Sequence, residues 1–257
     1  MAISTTTNMQ PAANSLSRRV ALVGGIGLLL IAVLTPFARF GVLQALVVPG
    51  DATATVNNIA ASEGFFRAGI ATLLIVVMLD IVVAWALYIV LRPTSRTVAL
   101  FSGWLRLAYA AVFAMALANL LDAAQLVSGA GGSTLQPQQL DAQVMASISS
   151  FDNGWIGIAL AIFGLHLVSL GALVFKSAHF PKFLGVLVVI AGGGYLADSF
   201  AAILVPDLGF TFSLFTFVGE ALLIVWLLMR AIKGFAPEAE SRDGSAVEPL
   251  GASTLAA

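Results

Sequence analysis

Seven ionisable side chains interrupt long apolar stretches of this sequence: Arg67, Asp80, Arg106, Asp122, His166, Asp198 and Glu220. An ionised group in hydrocarbon costs kilocalories, so each of these needs an opposite charge, a hydrogen-bonding partner or water. Asp80 and Arg106 fall roughly 16 and 12 Å from the same end of two successive apolar runs at about 1.5 Å per residue, which predicts a structural ion pair. Arg67 and Asp122 match in depth near the opposite end and are expected to pair as well, with Asn119 on the same side of its run as Asp122. Asp198, Glu220 and His166 are then left with no permanent cation.

Asp198 and Glu220 occupy one layer near the end where Asp122 lies. Glu220 continues a polar stripe with Ser213 and Thr216, and Asp198 lies on a small-residue stripe with Ala191, Gly194 and Ala202. This predicts an outward-facing polar pocket of His166, Asp198 and Glu220, with Asn119 and Asp122 near it. Two carboxylates close together in low dielectric do not both stay charged, so one holds a proton, binds a cation or uses His166 as partner. The competing expectation is a hydrogen-bonded polar plug that only orders the helices. One histidine and two carboxylates can bind zinc, but no HExxH or comparable spacing is present, so no metal, no cofactor and no catalytic residue is assigned.

The elements that must hold these groups are helices. The chain is 60% hydrophobic and only 10% charged over 257 residues, far from the roughly 25% charge of soluble domains. Its formal net charge of −1 offers no basic excess for nucleic acid, and without cysteine there is no disulfide or thiolate chemistry. The reading is an all-α, polytopic membrane bundle of six transmembrane helices: Val20 to Leu34, Phe65 to Leu91, Val98 to about Ala124, Asn153 to Lys176, Phe183 to Phe200 and Phe212 to Ile232. Asp51, after the breakers Pro49 and Gly50, caps a short extracytoplasmic helix to about Ser62 between the first two spans. The polar loop 129 to 152 is expected to hold another short helix, Gln136 to Ser149. Residues 1–17 and 235–257 are polar tails, leaving 18–234 as the membrane domain.

Gly157, Gly164 and Gly171 recur every seven residues on one face of the fourth span, with His166 on the opposite face, and the fifth repeats the device with Gly185, Gly192 and Ser199. Such smooth stripes let helices approach closely. Placing the N-terminus in the cytoplasm puts nine Lys and Arg inside and two outside, so both termini are expected to be cytoplasmic in the plasma (inner) membrane.

The segments VPGDATATVNNIAASEGFFRAGI, FGLHL, VFKSAHFPKFLGVLVVIAGGGYLADSF and GEALLIVWLL together resemble the bacterial multi-pass membrane family known as domain of unknown function 4386, over roughly residues 17 to 234. The resemblance implies an architecture and no reaction, and it supplies no catalytic residues. Three functions stay open: binding or moving a small solute, ion or lipid through the polar pocket; an accessory subunit with a polar-plug core and a protein partner; and an intramembrane enzyme with His166 or Glu220 as general base. Membrane lipids surround the chain in all three.

Overall fold

The computed structural model describes residues 10–129, 135–205, 211–212 and 218–234, with side chains from Arg18 onward. Residues 1–9 and 235–257 of the expected tails lie outside the described residues, as do Ser213 and Thr216. All the regular structure described is helical: α1 (Gln10–Pro36), α2 (Ala52–Ala61), α3 (Glu63–Leu91), α4 (Arg96–Ser128), α5 (Pro137–Asp152), α6 (Leu160–Lys176), α7 (Lys182–Leu204) and α8 (Val218–Lys233). Five continuous helical stretches are long and apolar enough to cross a membrane: Arg18–Leu46, Glu63–Leu91, Arg96–Ser128, Pro137–Lys176 and Lys182–Leu204. Their outward faces carry large apolar side chains such as Met115 and Trp104, 74% and 62% exposed, which suits a lipid-facing surface and not water.

Two stretches run further than the sequence predicts. The first continues past Leu34 to Leu46 through a π-helical turn, Phe37–Leu43. Pro36 has no N–H to donate and crowds the preceding turn, and the wider turn after it absorbs the mismatch. The helix expected within the loop 129–152 is α5, and it does not stand apart. It joins α6 through a second π-helical turn, Asn153–Ala159, as one stretch of 40 residues. At about 1.5 Å per residue this is about twice the bilayer core, so α5 extends the fourth span beyond it. The capped start is local chemistry: Pro137 occupies the first helical turn, and Gln136 and Gln139 exchange side-chain and backbone hydrogen bonds.

The VPGD turn also follows from its residues. Gly50 adopts φ 79°, a left-handed conformation that favours glycine, and the Ala54 N–H donates to Asp51 Oδ1 at 2.8 Å. Thr55, fully buried, donates to the Asp51 carbonyl at 2.8 Å and accepts from the Val48 N–H at 2.9 Å.

The closest packing is between α6 and α7. A Cβ at Gly164 would lie 2.7 Å from the Gly192 carbonyl oxygen, and one at Gly171 would lie 2.7 Å from that of Gly185. The two glycine stripes therefore meet backbone to backbone, except at Gly157, which faces open space. The third member of the α7 stripe, Ser199, donates to the Ile156 carbonyl at 2.7 Å. The rest of the bundle closes around α4, which packs against α3, α5 and α6 and buries Phe113 and Leu120.

Candidate functional site

At the centre of the bundle, α3, α4 and α6 bring Asp80, Ser102, Arg106 and His166 together, each no more than 3% exposed. Arg106 Nη2 donates to Asp80 Oδ1 at 2.6 Å. Its Nη1 donates to His166 Nε2 at 3.2 Å. A guanidinium can only donate, so Nε2 is the accepting nitrogen and the imidazole carries its proton on Nδ1. That N–H points at the Ser102 carbonyl, 2.9 Å away, with Ser102 Oγ at 3.0 Å. Ser102 and Arg106 are one turn apart on α4, so they hold the ring from both ends. Phe163, one turn before His166, lies under the Arg106 guanidinium at 5.4 Å.

This arrangement sets the position of His166. The glycine stripe that fixes α6 against α7 points His166 the other way, toward α4, and both ring nitrogens are engaged there. His166 is thus held by Arg106 and Ser102 on the α4 side. A cavity of about 10 Å³ borders His166 and Ser102, room for about one water molecule.

Glu220 on α8 approaches the same cluster from another side. It comes near Tyr195 of α7 and the Arg106–Asp80 pair, and its Oε1 is buried with no hydrogen-bond partner among the described residues. Asp198, half-buried one turn beyond Tyr195, accepts from the Phe212 N–H at 2.6 Å. Tyr195 stands edge-on to Phe163 at 5.4 Å, so it joins the Glu220 layer to the Arg106 cluster.

The outer polar residues distribute otherwise than expected. Arg67 Nε donates to Glu63 Oε1 at 2.7 Å, not to Asp122. Glu63 is one turn back on the same helix, so that pair orders less chain than one reaching across to α4. Asp122 is exposed, and Asn119 donates to the Ala116 carbonyl of its own helix at 3.0 Å.

Sequence reasoning missed a third ion pair, Arg39 with Asp152 at 2.5 Å, which ties the first π-helical turn to the start of the second. Arg39 also lies over Trp155 at 5.8 Å. From Trp155 an aromatic ladder descends through Phe113, Tyr109 and Phe163, with centroid spacings of 5.1, 5.8 and 4.8 Å, to reach Arg106. Arg39 and Asp152 lie outside the apolar runs of the sequence, where burial demands no partner, so depth matching does not link them. Among the described residues no group of three His, Asp or Glu side chains could hold a metal ion.

An uncharacterized protein of Archaeoglobus fulgidus is 33% identical to this chain over 169 residues, which cover 64% of this chain and 84% of that protein. No solved structure matches. The family model described as domain of unknown function (DUF4386) matches residues 23–231, a range that takes in every residue of the Arg106 cluster and the Glu220 layer. The chain belongs to the DUF4386 family.

Proposed function

We propose that this chain is a non-enzymatic integral membrane protein that takes up a small cation, the proton included, at Glu220. The observation that carries the reading is the buried Glu220 Oε1, which has no hydrogen-bond partner among the described residues. A buried carboxylate oxygen left in this way carries a desolvation cost that a proton or a coordinated cation would remove. Asp80 also leaves one buried oxygen, Oδ2, without a partner, but the Arg106 guanidinium on its Oδ1 already balances its charge. An enzyme using His166 as base is disfavoured, since both ring nitrogens are occupied and Ser169 Oγ donates to the His166 carbonyl at 2.7 Å, away from the ring.

One observation favours the second reading, an accessory subunit with a closed core: the hollow at His166 is no larger than a water molecule. The two readings separate on ligand response. The purified chain in lipid nanodiscs should show a thermal midpoint that shifts with pH and with added sodium or potassium. Glu220→Gln should remove that shift with the helical content intact, and Tyr195→Phe should reduce it. A wild-type midpoint indifferent to pH and to both cations would leave the closed accessory subunit as the better account.

A further inference from the structure

The outer surface of the α3–α4 seam carries a groove of about 270 Å³ whose walls are aliphatic, with Arg67 among its lining residues. The sequence makes this hollow: Ala71 on α3 and Ala114 and Ala118 on α4 are too short to fill the seam between Leu74 and Leu121. At about 1.5 Å per residue, α3 with its 29 residues is some 13 Å longer than the bilayer core. Arg67, in its second turn, therefore sits at the depth of lipid headgroups.

The charges at this mouth are mixed. Arg67 uses Nε for Glu63, and among the described residues its Nη1 and Nη2 donors are not engaged. Asp122 follows Leu121 on α4, is exposed, and forms no ion pair among the described residues. Glu63 is paired with Arg67, and Asp122 lies one turn beyond the lining residue Ala118 and next to the lining residue Leu121, at the same end of the groove as Arg67. A purely anionic headgroup would meet a net negative rim. A headgroup with both a phosphate and a primary ammonium would find a partner for each, and the hydrocarbon walls below suit an acyl chain.

We infer that the α3–α4 groove binds a phospholipid with a phosphoethanolamine headgroup, its phosphate on Arg67, its ammonium on Asp122 and one acyl chain along the alanine-floored seam. This site lies apart from Glu220, and the two stand or fall separately. The test is lipid retention by native mass spectrometry of the purified chain, after equilibration with vesicles containing equal mole fractions of phosphatidylethanolamine, phosphatidylglycerol and phosphatidylcholine. Phosphatidylethanolamine should be retained over the other two. Asp122→Asn should reduce its preference over phosphatidylglycerol about tenfold, the factor expected from one charge-assisted hydrogen bond. Ala118→Phe, which fills the groove from a lipid-facing position, should abolish retention with unchanged circular dichroism, and Ala71→Phe should do the same from the opposite wall. Equal retention of all three lipids, a preference for phosphatidylglycerol, or retention that survives both groove-filling substitutions would overturn the inference.

Discussion

Arg106 meets three demands with one side chain: it neutralises Asp80, donates to His166 Nε2, and rests its flat face on Phe163. Removing one member of such a buried pair strands the other, whereas replacing both with apolar groups of similar size can be nearly neutral. Asp80→Leu and Arg106→Leu should each cost about 3 to 5 kcal/mol in a detergent unfolding assay, and the double substitution should recover much of that loss. Additive losses would mean that the two charges are stabilised independently. This pair was legible in the sequence because two opposite charges at matching depth on successive helices have few alternatives. At His166 two signals in the sequence pull apart. The leftover-charge count drew it toward Asp198, although its position opposite the glycine stripe already directed it away from α7. A count of membrane-depth charges passes over a phenol such as Tyr195, although it joins the Glu220 layer to Phe163 and the Arg106 cluster.

The α6–α7 pair shows how far a spacing argument reaches at the level of elements. Seven-residue glycine repeats on two successive helices predicted backbone contact, and Gly164, Gly171, Gly185 and Gly192 make it. Neighbouring glycines offer an internal control. A Cβ at Gly192 would lie 2.5 Å from the Gly164 carbonyl oxygen and 2.8 Å from the Val168 nitrogen, whereas Gly193 has nothing within 4 Å. Gly192→Ala should therefore destabilise the protein by about 1 to 3 kcal/mol by forcing two backbones apart. Gly193→Ala should be neutral or should stabilise, since alanine is favoured over glycine in a helix by about 1 kcal/mol. Thermal midpoints measured side by side would decide, and equal effects at both positions would contradict the zipper. What spacing did not reveal was continuity. The π-helical turns at Phe37–Leu43 and Asn153–Ala159 let helices run through points where Pro36 and the polar Asp152–Asn153 pair read as ends. Propensity marks where a helix is weak, and tertiary partners decide whether it stops. Here Arg39 and Asp152 pair across those two places.

For the molecule as a whole, the contact that matters most joins its two ends. Arg18 at the start of the first span donates through Nε to the Ala231 carbonyl at 3.1 Å and through Nη2 to the Ile232 carbonyl at 2.7 Å. These are terminal carbonyls of α8, where a cation is favoured by both hydrogen bonding and the helix dipole. The beginning of α1 and the end of α8 therefore lie on one face of the bundle, which requires an even number of crossings if the bundle spans a bilayer. The same face carries the α6–α7 hairpin, because Arg230 Nε and Trp226 Nε1 both donate to the His179 carbonyl at 3.1 Å. Lys176 and Lys182 flank that hairpin, and Arg92 and Arg96 flank the turn between α3 and α4. Concentrated on one face, these cations favour the cytoplasmic side. The chain has no cysteine, so single cysteines introduced near Ser95 and Ser245 should resist a membrane-impermeant thiol reagent in intact cells, while one near Ser133 should react. Labelling of Ser95→Cys without Ser133→Cys would invert the orientation and place the Arg67 groove in the inner leaflet. Labelling of Ser245→Cys but not Ser95→Cys would mean an odd number of crossings and would contradict the placement of Arg18 on the end of α8.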